Sequence, residues 1–214
     1  MMKNNSVLQI GSIIEQNQSA FGIQFTSSQI NQLISYFQLV LKWNSILHLT
    51  TLSTPVDFAL LNILESAFAT TFFSPRIKCI FDLGSGYGIP GIPIGILRND
   101  LPVTLIEASH RKAIFLKEAI SILGLHNLQV LNQRFELCPP LDSNSCIVAR
   151  AMEKMTKKLP DMLHLGGASG QFLFWGNSHL LALVRARFLP FWNVDSLLIP
   201  LSEKRLLVSI TRST

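Results

Sequence analysis

The chain has 214 residues, 48% hydrophobic and only 14% charged, with a net charge of +5. That composition excludes a disordered chain and suits one domain with a sizeable core, with room for a helical extension. The most apolar windows are interrupted by Asn62 and Glu65, by Asp100, or by Arg185 and Arg187, so none offers the roughly 18 clean apolar residues that a membrane span needs.

The opening stretch, MMKNNSVLQIGSIIEQ, carries one lysine and no long apolar run. It predicts no secretory signal and, with no span, a cytoplasmic protein. Cys79, Cys138 and Cys146 form no C-x-x-C pair, and the five histidines are scattered. Small apolar residues in a reducing compartment are expected of the cysteines, and no metal site. The basic excess is uneven. Residues 1–80 hold four Lys/Arg against three Asp/Glu, and residues 81–214 hold fourteen against ten. Such an excess is compatible with a nucleic-acid partner, because phosphates reward lysine and arginine.

In chain order, the first 75 residues predict helices. One precedes Gln18. The next follows the capping residues Thr26, Ser27 and Ser28, with apolar residues at Ile30, Leu33, Ile34, Phe37, Val40, Leu41 and Ile46 near helical spacing. A third starts at STPVDF, with Pro55 in its first turn, and runs to about Phe72. From residue 77 short apolar runs alternate with longer amphipathic ones. Strands are predicted at 77–83, 103–108, 128–133, 145–151 and 170–175, with a short helix to Arg98 and another at 110–124 closed by Gly124. A helix broken by Pro160 follows residue 155, and the tail holds two final strands, VDSLLIPL and RLLVSIT, as a hairpin-like pair. The alternation predicts an α/β fold, a mostly parallel sheet with helices on both faces. The boundary falls near Ser74-Pro75-Arg76. It gives an N-terminal helical extension, 1–75, packed on a core, 76–214.

FDLGSGYGIPGIPI, residues 81–94, follows the first predicted strand. In a doubly wound sheet the ligand sits at the carboxyl ends of the strands, so this loop is the expected site. Gly84, Gly86 and Gly88 permit a sharp turn and close approach of a ligand. Two patterns overlap: an acid followed by G-x-G-x-G, and a G-x-G-x-x-G from Gly86 to Gly91. A pyrophosphate needs free N–H groups at the helix start, and Pro90 and Pro93 remove two of them. Asp82 repels a pyrophosphate but is at ease near a sulfonium cation, directly or through water. Glu107 stands 21 residues after Gly86 at a strand end, where a carboxylate can accept both ribose hydroxyls of an adenosine. Glu107 suits either cofactor; the prolines and Asp82 favour S-adenosyl-L-methionine over a dinucleotide.

The same residues carry a family resemblance. The chain resembles the bacterial 16S rRNA guanine-N7 methyltransferases, once called glucose-inhibited division protein B. DLGSGYGIPGIPI carries that family's double G-x-P pattern. LIEASHRKAIFLKE, QRFE at 133–136 and VARA at 148–151 resemble its next signatures, and YFQLVLKWNSILHLT and NILES resemble two upstream ones. The resemblance spans roughly residues 30 to 180. It implies a class I S-adenosylmethionine-dependent methyltransferase: a Rossmann-like, seven-stranded, mostly parallel sheet with one antiparallel strand. It also implies that Gly84, Gly86 and Ile89 line the methionine side of the cofactor and that Glu107 holds the ribose. Phe135 and Glu136 would border the adenine, and Arg150 would close the pocket near the methyl group and substrate. The implied partner is small-subunit ribosomal RNA, naked or in the assembled 30S particle.

Two departures stand out. The family usually has histidine where this chain has Asn62, and Leu-Lys-Gly where it has Phe174-Trp175-Gly176. Trp175 either stacks on a base or caps the sheet edge. Guanine N7 has a lone pair and no proton, so no general base is expected. Arg150 is the candidate for orienting the base or a phosphate. Arg111, Lys112, Arg134 and Lys154, with Lys157 and Lys158 beyond, are candidate RNA contacts. A class I methyltransferase with another acceptor, and a ribosome-associated binder without catalysis, are compatible with the same residues.

Overall fold

The computed structural model of the chain describes residues 2–212, apart from 53, 142–143, 151–155, 167–169 and 189–191. Seven strands form one sheet: β1 (Cys79–Leu83), β2 (Val103–Ile106), β3 (Leu128–Leu131), β4 (Ser145–Ala149), β5 (Gln171–Gly176), β6 (Trp192–Leu198) and β7 (Leu206–Arg212). Their order is β3-β2-β1-β4-β5-β7-β6. The first five run parallel, with Asp82 level with Leu105 on one side and Val148 on the other. β7 is antiparallel to both β5 and β6. A mostly parallel sheet with one antiparallel strand is what the resemblance implied.

The helices are α1 (Met2–Asn17), α2 (Ser27–Leu47), α3 (Pro55–Asp57), α4 (Glu65–Phe68), α5 (Gly91–Leu97), α6 (His110–Leu123), α7 (Leu159–Leu165) and α8 (Ser178–Phe188). A π-helical turn, Phe58–Leu64, joins α3 to α4, and a 3-10 turn, Ala69–Phe72, ends that segment. The helix expected from Pro55 to Phe72 is thus one segment with changing hydrogen-bond period. None of the helices is long and apolar enough to cross a membrane among the described residues.

Two apolar layers cover the sheet. Alternate residues of a strand point to opposite faces, and β4 shows it: Cys146 and Val148 pack with α2, α5 and α6, whereas Ile147 and Ala149 pack with α7 and α8. α2 starts with a full capping box. Gln29 N–H donates to the Thr26 hydroxyl at 3.3 Å, and the Gln29 side chain accepts from Thr26 N–H at 2.9 Å. Polar side chains then tie α2 to the core. The Gln29 amide donates to the Ile96 carbonyl at 2.7 Å, and the Gln32 amide to that of Leu123 at 2.8 Å. The Trp43 indole reaches Glu118 at 3.2 Å. Each such bond contributes about 1 kcal/mol and fixes the helix against α5 and α6.

Three expectations need correction. Pro160 does not break a helix; it lies in the first turn of α7, where a missing N–H costs nothing. The strands expected at 103–108, 128–133 and 145–151 end earlier, at Ile106, Leu131 and Ala149. Glu107, Asn132 and Arg150 therefore lie in the loops at the carboxyl edge. α8 was not anticipated.

Candidate functional site

The carboxyl edge of the sheet gathers four loops. In the loop after β1, Gly84, Gly86 and Gly88 all have positive φ, at 69°, 60° and 98°. These are left-handed conformations that favour glycine. Gly84 is exposed and Gly86 half-buried, while Ile89 is buried. A Cβ on Gly86 would meet nothing closer than the Gly84 carbonyl at 3.8 Å, so that side of the loop is open. From the other side, the Tyr36 hydroxyl of α2 donates to the Tyr87 carbonyl at 2.6 Å.

The loop consumes most of its own donors. Gly84 and Ser85 N–H donate to the Ile106 carbonyl, and Gly88 and Ile89 N–H to that of Ser85. Gly86 N–H goes to Glu107 Oε2 at 2.8 Å. At the start of α5, Gly91 N–H goes to Asp82 Oδ2 at 3.0 Å, and Ile92 and Ile94 N–H go to the carbonyls of Gly88 and Pro90. Residue 93 is a proline. The first turn of α5 therefore has no N–H to offer an anion. The case against a pyrophosphate, argued from two prolines, gains a broader reason: the N–H groups of Gly91, Ile92 and Ile94 at the start of α5 are spent as well.

Asp82 is fully buried beneath this loop, on the sheet face of Ile80. Its Oδ2 holds the start of α5, and its Oδ1 is buried without a partner. Burial lifts its carboxyl to about 7, against the lowering effect of the Gly91 N–H. Glu107 joins two loops, because its other oxygen accepts from Ser109 N–H at 2.7 Å. A carboxylate has about four lone-pair sites, so each oxygen keeps one for a hydroxyl donor. Asn132 donates to the Glu107 carbonyl at 2.8 Å and braces this turn.

Beyond β3, Phe135 is buried in a 3-10 turn. Exposed Glu136 is ion-paired with Lys158, whose ammonium lies 5.2 Å from the centre of the Phe135 ring. Arg111 and Arg134 are exposed and Lys112 half-buried along this rim. Lys154 lies outside the described residues.

Past β4 stands a group that sequence reasoning only half found. Arg150 Nη2 pairs with Glu65 Oε2 at 2.8 Å, and Arg205 Nε with Glu65 Oε1 at 2.5 Å. The Glu65 carbonyl also accepts the Trp175 indole N–H at 2.9 Å. Trp175 is only 5% exposed, so it is an internal support and has no free face for a base. Burial raises the Glu65 carboxyl, and the two arginines offset this only in part. Glu65 and Arg205 were not singled out as site residues. The available signal was a lone acid inside an apolar helical run, which needs a buried partner.

The geometry fits an adenosine-bearing cation better than a phosphate. The glycine loop is open on one side, Glu107 presents free acceptor capacity next to it, and Asp82 keeps an unpaired oxygen below.

Comparison with known proteins points the same way. A family model described as rRNA small subunit methyltransferase G, GidB, matches residues 29–186. The ribosomal RNA small subunit methyltransferase G of Chromobacterium violaceum is 30% identical over 75% of this chain and 76% of its own length. That of Pseudomonas putida is 32% identical over 74% and 73%. Among solved structures, a SAM-dependent methyltransferase from Aquifex aeolicus shares the fold with a TM-score of 0.56 at 12% identity, covering 71% of this chain and 92% of its own. The ribosomal protein L11 methylase of Lactobacillus delbrueckii subsp. bulgaricus does so at 0.56 and 16%, covering 72% and 79%.

Proposed function

Because the chain belongs to the rRNA small subunit methyltransferase G family, we propose that it transfers a methyl group from S-adenosylmethionine to N7 of a guanine in small-subunit ribosomal RNA. It would do so in the cytoplasm, on the RNA alone or within the 30S particle. The carrying observation is the loop after β1, open to a ligand beside Gly86 while the N–H groups at the start of α5 are already spent.

When bound, the cofactor supplies an electrophilic methyl on a sulfonium. Gly84, Gly86 and Ile89 would line its methionine end, Glu107 would take the ribose hydroxyls, and Phe135 and Glu136 would flank the adenine. Asp82 would favour the positive charge from below. Guanine N7 would supply its in-plane lone pair and has no proton to lose. The nearby acids agree with this: Asp82 holds Gly91, Glu107 holds Gly86 and Ser109, and Glu65 holds two arginines. All three serve structural bonds, and N7 needs no base. The rate advantage then comes from alignment and from excluding water. Arg150 would orient the acceptor.

We also treat residues 1–75 as a helical extension and 76–214 as the methyltransferase core. The bonds from Gln29, Gln32 and Tyr36 to the core support an extension that braces the cofactor loop.

The test is cleavage at 7-methylguanine followed by primer extension, on small-subunit RNA from cells with and without the gene. The mark should vanish on deletion and return with the intact gene. A mark that persists in the deletion strain removes the substrate assignment.

A further inference from the structure

Among the described residues, two buried N–H donors beside the glycine loop have no partner. One is Asn62 Nδ2, in a side chain 1% exposed; the other is Arg150 Nη1. They belong to one cluster. The Tyr87 hydroxyl donates to Asn62 Oδ1 at 3.1 Å, which fixes the amide with its nitrogen turned away. Glu65, one turn after Asn62, holds the other terminal nitrogen of Arg150. The charge of Arg150 also acts on the Tyr87 phenol. Tyr87 is itself part of the loop between Gly86 and Gly88. Unpaired buried donors are costly, and a bound acceptor relieves that cost.

We propose that Asn62 and Arg150 together read the O6 oxygen of the target base and so select a 6-oxopurine. The proposal rests on the methyltransferase reading above. Position within the fold supports it. On that reading the adenosine end of the cofactor would lie with Glu107 and Phe135, over β2 and β3. The side over β4 and β5, where Asn62, Glu65, Arg150 and Trp175 meet, is left for the acceptor. Chemistry supports it as well. Guanine presents two acceptors on this edge, N7 and O6, whereas adenine presents N7 beside an amino donor. Donors on O6 hold the base in its plane and leave the N7 lone pair free. An adenine amino group would face them as a third donor and leave all three unsatisfied. The alternative acceptor is the carboxylate of the cofactor. It suits the cluster less well, because Glu65 already stands against Arg150.

The experiment measures methyl transfer to small-subunit particles from the deletion strain, with S-adenosylhomocysteine affinity measured by calorimetry on the same preparations. Asn62→Leu should lower kcat/KM for the particle by about 10- to 100-fold and leave S-adenosylhomocysteine affinity within about twofold. Asn62→His keeps an N–H donor and should recover most of the loss. Asn62→Ser is too short to reach and should behave like Asn62→Leu; it carries the comparison if the leucine variant does not fold. Unchanged transfer by Asn62→Leu and Asn62→Ser overturns the proposal. So does a fall in S-adenosylhomocysteine affinity that matches the fall in activity while the protein stays folded, because the donors would then serve the cofactor. If the wild-type protein itself transfers no methyl group, the functional reading fails first and takes this proposal with it.

Discussion

Glu65 and Arg150 form an ion pair 2.8 Å long across 85 residues of chain, joining the N-terminal helices to the end of β4. Glu65 is 1% exposed, and its burial raises its carboxyl despite two arginines. The attraction therefore does not fully offset desolvation, and the pair fixes geometry more than it adds stability. Removing one partner is a different matter, because it strands a buried cation. Glu65→Gln should cost roughly 3 kcal/mol in urea unfolding and depress methyl transfer further than that loss explains.

Asp82 makes stability and binding depend on pH. Its ordinary value is 3.8, and burial lifts it to about 7. Between these values the folded protein holds a proton that the unfolded chain has released. The Asp82 contribution is thus fully present below about pH 4 and is lost as pH rises through 7, at up to ~1.4 kcal/mol per pH unit. Comparing urea midpoints at pH 5 and pH 8, the wild type should lose more than Asp82→Asn. A sulfonium favours the ionised form, so S-adenosylmethionine should gain on S-adenosylhomocysteine in affinity from pH 6 to 8. Asp82→Asn should abolish that gain in calorimetry.

Gly86 and Gly91 should separate binding from folding. A Cβ on Gly91 would lie 2.3 Å from Leu105 and 2.7 Å from Asp82 Oδ2. Gly91→Ala is expected to destabilise by about 1–3 kcal/mol through overpacking. Gly86 at φ +60° meets no such wall, so Gly86→Ala should cost about 1–2 kcal/mol of backbone strain. Its methyl group stands on the open side of the loop, however, and S-adenosylhomocysteine affinity should fall at least tenfold. Melting curves beside calorimetry on both variants check this.

The basic rim can be tested through salt. Arg111 and Arg134 are exposed and take part in none of the ion pairs formed among the described residues. If each meets a phosphate, Arg111→Ala and Arg134→Ala should each weaken binding to small-subunit RNA and reduce the slope of log affinity against log salt by about one. Variants with the parent slope would show that this rim does not meet the RNA.

Much of this was legible because it is local. Strand runs such as IKCIFDL, the capping residues at Thr26 and the glycine spacing signal themselves within a few residues. Glu107 was found because its distance from Gly86 follows from one strand–helix–strand unit. α8 escaped for a local reason too. Its buried residues Leu180, Val184 and Phe188 form a stripe at four-residue spacing, but the apolar run around Leu181 and Leu183 hides that period. The Glu65 cluster was illegible because its partners lie 85 and 140 residues away. The accounting of loop donors was equally hidden. Two prolines mark two missing N–H groups, but those of Gly91, Ile92 and Ile94 are spent on a carboxylate and carbonyls that only the folded chain brings together.

That accounting bears on inhibitor chemistry. A compound that replaces the methionine tail with a phosphate or sulfonate would find no hydrogen-bond donors at the α5 end of the loop and would face Asp82. Adenosine analogues with a positively charged group in place of the sulfonium meet the opposite situation. Screening sets drawn from dinucleotide or kinase ligands are therefore poor starting points, and amine-bearing adenosines are the better ones.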